Sequence, residues 1–166
     1  MRVYLPATLG SLSALRDNGF QPPLPAHAVT GELREWYADG DADELEYAAG
    51  DEAAHASLRL LADDDGQARR RVVVAADVPD SAVSTGGSYR SSVVVTAAVD
   101  RGWVASVHVD GAEARTDVSQ AVRALAAADD GDDDAQFTVD QAAGHELLWY
   151  DVSELDDVLA LARDDA

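Results

Sequence analysis

Three valine-rich segments with the pattern of β-strands follow one another between residues 70 and 109, with no helical pattern between them. The first, Arg70–Val78, contains Val72-Val73-Val74 and is typical of a strand buried on both faces. The next two, Ser92–Val99 and Trp103–Val109, are separated only by the turn residues Asp100-Arg101-Gly102. Because parallel neighbours need a crossover connection of about a dozen residues or more, these consecutive strands require an antiparallel portion of the sheet. This segment therefore excludes a purely parallel, doubly wound sheet.

The rest of the chain adds strand and helix patterns in alternation. Strands are predicted at Arg2–Leu5, Ala26–Val29 and His145–Tyr150. The strongest helical pattern covers Asp43–Leu61, where apolar residues recur at the helical period, and one helix through Gly50 is favoured over two shorter ones. We predict an α+β (mixed α/β) fold in which a single layer of about five to six mostly antiparallel or mixed strands carries helices packed on it.

Acidic residues dominate the charge of the chain. Its 32 Asp and Glu residues face 12 basic residues, all of them Arg, for a formal net charge of −20. Such a field repels nucleic acid, anionic lipid and anionic substrates, which argues against those partners. With 47% hydrophobic residues the chain is still expected to fold, as one globular domain over residues 1–166. The Asp-rich segment 126–134 is expected to be an acidic, solvated loop.

Several classes of protein are disfavoured by what the sequence lacks. Without cysteine it has no disulfide framework, thiolate nucleophile or Cys-ligated metal. The N-terminus has no secretory signal pattern, and the longest apolar runs, such as Val72–Ala76, fall far short of the roughly 20 residues that cross a bilayer. Motifs for dinucleotides, nucleoside triphosphates, zinc proteases and serine hydrolases are missing. A cytoplasmic protein without cofactor or metal is expected.

Two aromatic pairs are the candidate binding residues. Trp36-Tyr37 follows two glutamates on a predicted helix, and Trp149-Tyr150 follows His145-Glu146 on the last predicted strand. Large rings beside carboxylates can hold a cationic ligand, an amine or an Arg-rich peptide through charge and cation–π attraction. In the alternative interpretation, one ring of each pair belongs to the core and its neighbour covers an edge.

The remaining histidines offer weaker candidates. His55 lies one helical turn after Asp51, a spacing that suits either a metal ligand pair or an exposed ion pair. His108 and Asp110 would point to the same side of a strand and could form an acid–base pair, but a strand-end His beside a turn Asp is the favoured interpretation. His27 stands alone and is interpreted as structural.

Arg69-Arg70-Arg71 is the basic cluster of the sequence. Three adjacent arginines could bind a phosphate group. The acidic run Asp63–Asp65 lies close by in the sequence, so local charge balance is the favoured interpretation.

Several stretches of the chain match a known family. The matching segments are 1–9, 33–37 (LREWY), 44–49, 56–61, 70–79 and 145–150 (HELLWY). Through them the sequence resembles a family of small, acidic actinobacterial proteins known only as an uncharacterised domain of unknown function, and the resemblance runs almost end to end. It implies a cytoplasmic, single-domain protein and carries no activity, cofactor or catalytic residue.

These observations favour a non-enzymatic module that binds or regulates another protein, with a basic partner suited to the acidic field. The alternative is a small hydrolase or transferase that uses His and carboxylate groups on a neutral or cationic substrate. A pocket that brings His145 or His27 within hydrogen-bond reach of a buried carboxylate would favour this enzyme. A nucleic-acid mimic is a third hypothesis and would need ordered rows of carboxylates on rigid elements.

Overall fold

Residues 1–165, which the computed structural model describes, build one antiparallel sheet of seven strands. The strands are β1 (Arg2–Ala7), β2 (Leu24–Ala28), β3 (Val72–Asp77), β4 (Val83–Thr85), β5 (Ser92–Val95), β6 (Val104–Val109) and β7 (Leu148–Tyr150). They lie in the order β4-β5-β2-β1-β3-β6-β7, and each neighbouring pair is antiparallel. Because early, middle and late strands share this sheet, the described chain is one domain.

Six helices within the same residues cover both faces of the sheet. They are α1 (Leu12–Asp17), α2 (Gly31–Trp36), α3 (Ala42–Ala62), α4 (Arg115–Asp129), α5 (Asp133–Ala143) and α6 (Leu155–Asp164). Helices α1 and α6 close one face over the main core, which includes Val3, Leu12 and Leu155. Helix α3 crosses the other face against β1, β2 and β3, and α4 and α5 pack together beside its C-terminal half. None of these helices has the length and apolar composition of a transmembrane segment.

The predicted α+β class is confirmed, and the sheet is larger than the five to six strands expected. The additional strand, β4, lies in a segment whose polar sequence favours a loop. It pairs with β5 at the edge of the sheet, across a turn that contains Gly86 and Gly87. Gly87 has φ +139°, and a Cβ atom there would lie 2.5 Å from Cβ of Ser92, so this turn requires glycine.

Helix α3 is continuous, as its apolar pattern predicts. Its N-terminus is a capping box in which Asp41 accepts from the amide of Glu44 while the Glu44 side chain accepts from the amide of Asp41. Gly50 stays helical because tertiary packing overrides its low helix propensity, and its Cα faces the Tyr4 ring. The helix therefore runs without a break along the sheet.

The acidic segment predicted as a loop over residues 126–134 is mostly helical. Helix α4 continues to Asp129 and α5 begins at Asp133, so the connection is only Asp130–Asp132. The alanines at 126–128 are strong helix formers, and Asp132 caps α5 by accepting from the amide of Ala135. Carboxylates in the first turn of α5 also interact favourably with the positive end of its dipole.

The arginine cluster is divided among separate ion pairs. Asp110 accepts two side-chain hydrogen bonds from Arg71, at 2.7 and 2.8 Å, and both side chains are buried. Asp165 accepts two from Arg70, at 2.8 and 2.9 Å, and this pair is also buried. Only Arg69 turns toward the nearby acidic run. Charge balance therefore explains Arg70 and Arg71, but with partners from distant parts of the chain.

Candidate functional site

A cleft of about 460 Å³ opens between α3 and the part of the sheet that this helix leaves uncovered. Its walls come from α3, from β1, β3 and β6, and from the segment that connects α5 to β7. The lining residues are Tyr4, Asp43, Glu46, Tyr47, Gly50, Asp51, Ala54, Val73, His108, His145, Glu146 and Leu147.

The sheet register assembles the floor of the cleft. Val73 of β3 is paired with His108 of β6, and Tyr4 of β1 is paired with Ala75, two residues further along β3. Directly paired residues in an antiparallel sheet present their side chains on the same face. Tyr4, Val73 and His108 therefore share the face that α3 covers in part, and their side chains give the cleft an apolar and aromatic base.

Carboxylates surround this base. Asp43, Glu46 and Asp51 line the cleft from α3, and Glu146 lines it from the segment before β7. All four are exposed, and no arginine lines the cleft among the described residues. Arg2 lies near Tyr4 and His108, but it is paired with Asp77 at 2.8 Å. The cleft therefore attracts cations.

The two imidazoles in the cleft have different partners. The Nε2 atom of His108 lies 2.8 Å from the hydroxyl of Ser106, and burial, reinforced by the charge of Arg2, lowers the pKa of His108. The Nε2 atom of His145 lies 2.7 Å from a carboxylate oxygen of Asp117 on α4. Arg71 donates to the carbonyl of His145 at 3.0 Å, so the buried ion pair of Arg71 also holds this wall of the cleft.

Three of the predicted binding residues lie at or beside the cleft. His145 and Glu146 line it. Trp149 is paired with His108 across β6 and β7, so its ring lies on the same face of the sheet, one strand further out, and is 61% exposed. Tyr150 points to the opposite face, where it packs against the main core. The second aromatic pair thus divides between surface and core.

The first aromatic pair lies elsewhere. Trp36 ends α2, and its ring stacks under the guanidinium of Arg90 with 3.7 Å between Cζ and the ring centroid. Thr30 also donates to the carbonyl of Arg90, so α2 holds the loop before β5. Tyr37 is exposed beside it. Neither ring of this pair lines the cleft, and neither belongs to the core.

The structure shows the surroundings of the histidines for which the sequence suggested other pairings. His108 and Asp110 form no pair, because β6 ends at Val109 and Asp110 turns inward to Arg71. His27 is buried, and its Nδ1 atom lies 2.8 Å from the hydroxyl of Ser91 rather than near a carboxylate. Among residues 1–165, no group of His, Asp and Glu has the arrangement of a metal site, and this includes the environment of His55.

Acidification is expected to destabilise the fold through His27. Burial, with a smaller effect from His55, lowers the pKa of His27, so below about pH 6.5 the unfolded chain binds a proton that the folded protein does not. The free energy of unfolding should therefore decrease as the pH falls from about 7 to 5.5. Urea unfolding of wild type and His27→Asn across this range measures the effect, which should be smaller in the variant. Equal pH dependence in both proteins would contradict it.

The sequence indicated His108 as a possible partner of Asp110, but it did not indicate that His108 and Tyr4 share the floor of a cleft. Tyr4 and His108 belong to strands that are not adjacent in the sequence and meet the cleft only through their pairing with β3. Tyr47 belongs to the predicted helix, and it lines the cleft while being 65% exposed. One signal in the sequence was the spacing of Asp43 and Glu46, which lie three residues apart and therefore on the same side of α3.

Comparison with known proteins places the chain in a family. The model of a family of unknown function, DUF6912, matches residues 1–159, so the chain belongs to this family. No curated protein and no solved structure matches it.

Proposed function

We propose that this member of a family without an assigned activity is a cytoplasmic, non-enzymatic binding module that receives a cationic side chain of a partner protein in its acidic cleft. The observation that carries the proposal is the composition of the cleft. Four carboxylates and two tyrosines line it, and no arginine does so among the described residues. Such a site can pair with a guanidinium or ammonium group and hold the aliphatic part of the side chain against the rings.

The position of the cleft beside an open sheet edge supports a peptide as the ligand. Among residues 1–165, strand β7 pairs with β6 alone and ends the sheet, so its outer edge can accept another strand. Leu148 and Trp149 are exposed along this edge, and His145 and Glu146 of the cleft lie directly before them in the chain. An extended basic segment paired with β7 would place alternate side chains on the face that carries Trp149 and the cleft.

The charge of the whole molecule supports the same class of partner. At −20, the field should raise the association rate of a basic segment and oppose pairing of β7 with a second copy of the chain. The cleft then provides the local contacts that the general field does not.

Removing two cleft carboxylates is expected to weaken peptide binding by about tenfold, since each exposed ion pair contributes up to about 1 kcal/mol. The variant is Glu46→Gln/Asp51→Asn, and the probe is the acetylated, amidated peptide Val-Arg-Val-Arg-Val. Isothermal titration calorimetry at low salt measures the dissociation constant. The same peptide with glutamine in place of arginine should bind more weakly, and added salt should weaken the arginine peptide.

The matched control is Asp133→Asn/Asp157→Asn, which makes the same change in net charge at exposed carboxylates of α5 and α6. Trp149→Ala, compared with Trp36→Ala, tests the edge in the same way, because the two rings are 61% and 62% exposed. The cleft variant and Trp149→Ala should lose affinity while their controls retain it. Equal losses in variant and control would mean that only the overall field binds the peptide, and the proposal would fail.

The pair formed by His145 and Asp117 supports a second candidate, a small hydrolase or transferase acting on a neutral or cationic substrate. The carboxylate orients the ring through Nε2 and leaves Nδ1 as the nitrogen that could act on a ligand. The Asp117 side chain is 37% exposed, so this pair supports catalysis less strongly than a buried carboxylate would. Cleavage of p-nitrophenyl acetate that is lost in His145→Gln would favour the enzyme, whereas equal background rates would favour the binding module.

A further inference from the structure

A second concave surface has the opposite charge to the rest of the molecule. This basic pocket, about 380 Å³ in volume, lies between α4 and the segment before β3. Three of the 12 arginines of the chain converge on it, and no carboxylate lines it among the described residues. Its lining residues are Arg69, Ala112, Arg115, Thr116, Ser119 and Arg123.

The charges of these arginines are incompletely balanced by protein groups. Arg69 donates to the neutral carbonyl of Leu61 at 2.8 Å, while its carboxylate partner Asp65 is 3.5 Å away on an almost fully exposed side chain. Arg115 lies 3.3 Å from Asp165, which already accepts two hydrogen bonds from Arg70. The pocket therefore keeps a local excess of positive charge.

Arg123 strengthens this excess. It is exposed on α4 and has no ion-pair partner within residues 1–165. Thr116, Ser119 and Arg123 follow the spacing of one face of a helix, so two hydroxyl groups and a guanidinium lie along the same side of the pocket. Guanidinium groups beside hydroxyl donors are the chemistry that binds phosphate oxygens.

From this arrangement we infer that the basic pocket binds a compact phosphate group, either as the free anion or as a monoester on a small molecule. A long polyanion is a poor ligand, because it would extend from the pocket into the acidic surface around it. Arg69 and Arg115 are held by protein acceptors and form the fixed part of the site, and Arg123 supplies the unpaired charge. This site does not depend on the proposed role of the cleft.

Titration with inorganic phosphate and with glycerol phosphate tests the inference, with ionic strength held constant by chloride. Calorimetry should give saturable binding to the wild-type protein. The probe that binds more tightly shows whether the phosphate group is bound as the free anion or as a monoester. Arg123→Gln should weaken binding by about tenfold through loss of one charge-assisted contact. Because Arg123 is exposed, the thermal unfolding midpoint should stay unchanged.

The matched control is Arg101→Gln, which removes another exposed arginine that lies outside the pocket. It should bind both probes as wild type does, which would separate a local contact from the change in net charge. Absence of saturable binding of both probes to the wild-type protein would overturn the inference. Equal affinities of Arg123→Gln and wild type, or equal losses in the Arg123 and Arg101 variants, would also overturn it.

Discussion

Replacing Asp110 with asparagine is expected to lower the free energy of unfolding by about 3–5 kcal/mol. The carboxylate accepts from the backbone amide of Arg71 and from two nitrogens of its guanidinium, and the two side chains are only 0% and 4% exposed. The substitution leaves the Arg71 charge buried without a counter-charge, which costs more than the loss of a surface ion pair. Urea unfolding at neutral pH measures the difference.

The pair formed by Arg59 and Asp129 provides the control. Its hydrogen bonds resemble those between Arg71 and Asp110, but its side chains are much more exposed. Both of its hydrogen bonds are 2.8 Å long, yet the side chains are 40% and 49% exposed. Asp129→Asn should therefore cost little stability, as is usual for a solvent-exposed ion pair. Similar losses in the Asp110 and Asp129 variants would show that burial does not determine the effect.

A double variant separates the pair from the rest of the site. Arg71→Met/Asp110→Asn removes both charges, so it should be more stable than the sum of the two single changes implies. It also removes the hydrogen bond from Arg71 to the carbonyl of His145. Hydrogen exchange at residues 145–147 should accordingly remain faster than in wild type, even if much of the global stability returns.

The local elements of this fold are predictable from the sequence. The apolar stripe that predicts a helix over Asp43–Leu61 corresponds to α3 at Ala42–Ala62, and the valine run of Val72–Ala76 forms the buried part of β3. Both signals depend on residues close together in the chain. Strand β4 escaped prediction because a short edge strand is stabilised mainly by its partner, here β5, and its own sequence is polar.

The assembly of the site depends on the pairing and register of strands that are distant in the sequence. These pairings cannot be derived from a single sequence. Strict alternation along β6 places Val104 on the face of Ser106 and His108. The register shift between β3 and β6 instead turns Val104 into the main core. The ion pairs show the same limit, since Arg70 and Arg71 find partners 95 and 39 residues away instead of in the adjacent acidic run. His145 and Glu146 line the cleft, and the sequence indicated them as candidates because ionisable and aromatic residues are concentrated there in a few consecutive positions.

Replacing Asp165 with asparagine is expected to destabilise the protein by about 2–3 kcal/mol, because it leaves the guanidinium of Arg70 buried without its carboxylate. The cost should be smaller than at Asp110, since Asp165 lies just after α6, where the end of the helix can fray and admit water. Asp164→Asn is the matched control: it makes the same change in charge one residue earlier at an exposed position, and it should be nearly neutral.

The pH dependence of the stability difference between wild type and Asp165→Asn identifies its cause. The hydrogen bonds from Arg70, opposed by partial burial, lower the pKa of Asp165 below its ordinary value. A carboxylate whose pKa is lowered by folding contributes its full stabilisation when the pH is above its pKa in the unfolded chain, which is about 3.9. This contribution is lost as the pH falls through its lower pKa in the folded protein. The stability difference between wild type and Asp165→Asn should therefore be complete at pH 7 and shrink in strong acid. A difference that stays constant from pH 7 to about pH 2 would mean that Asp165 acts through packing and not through its charge.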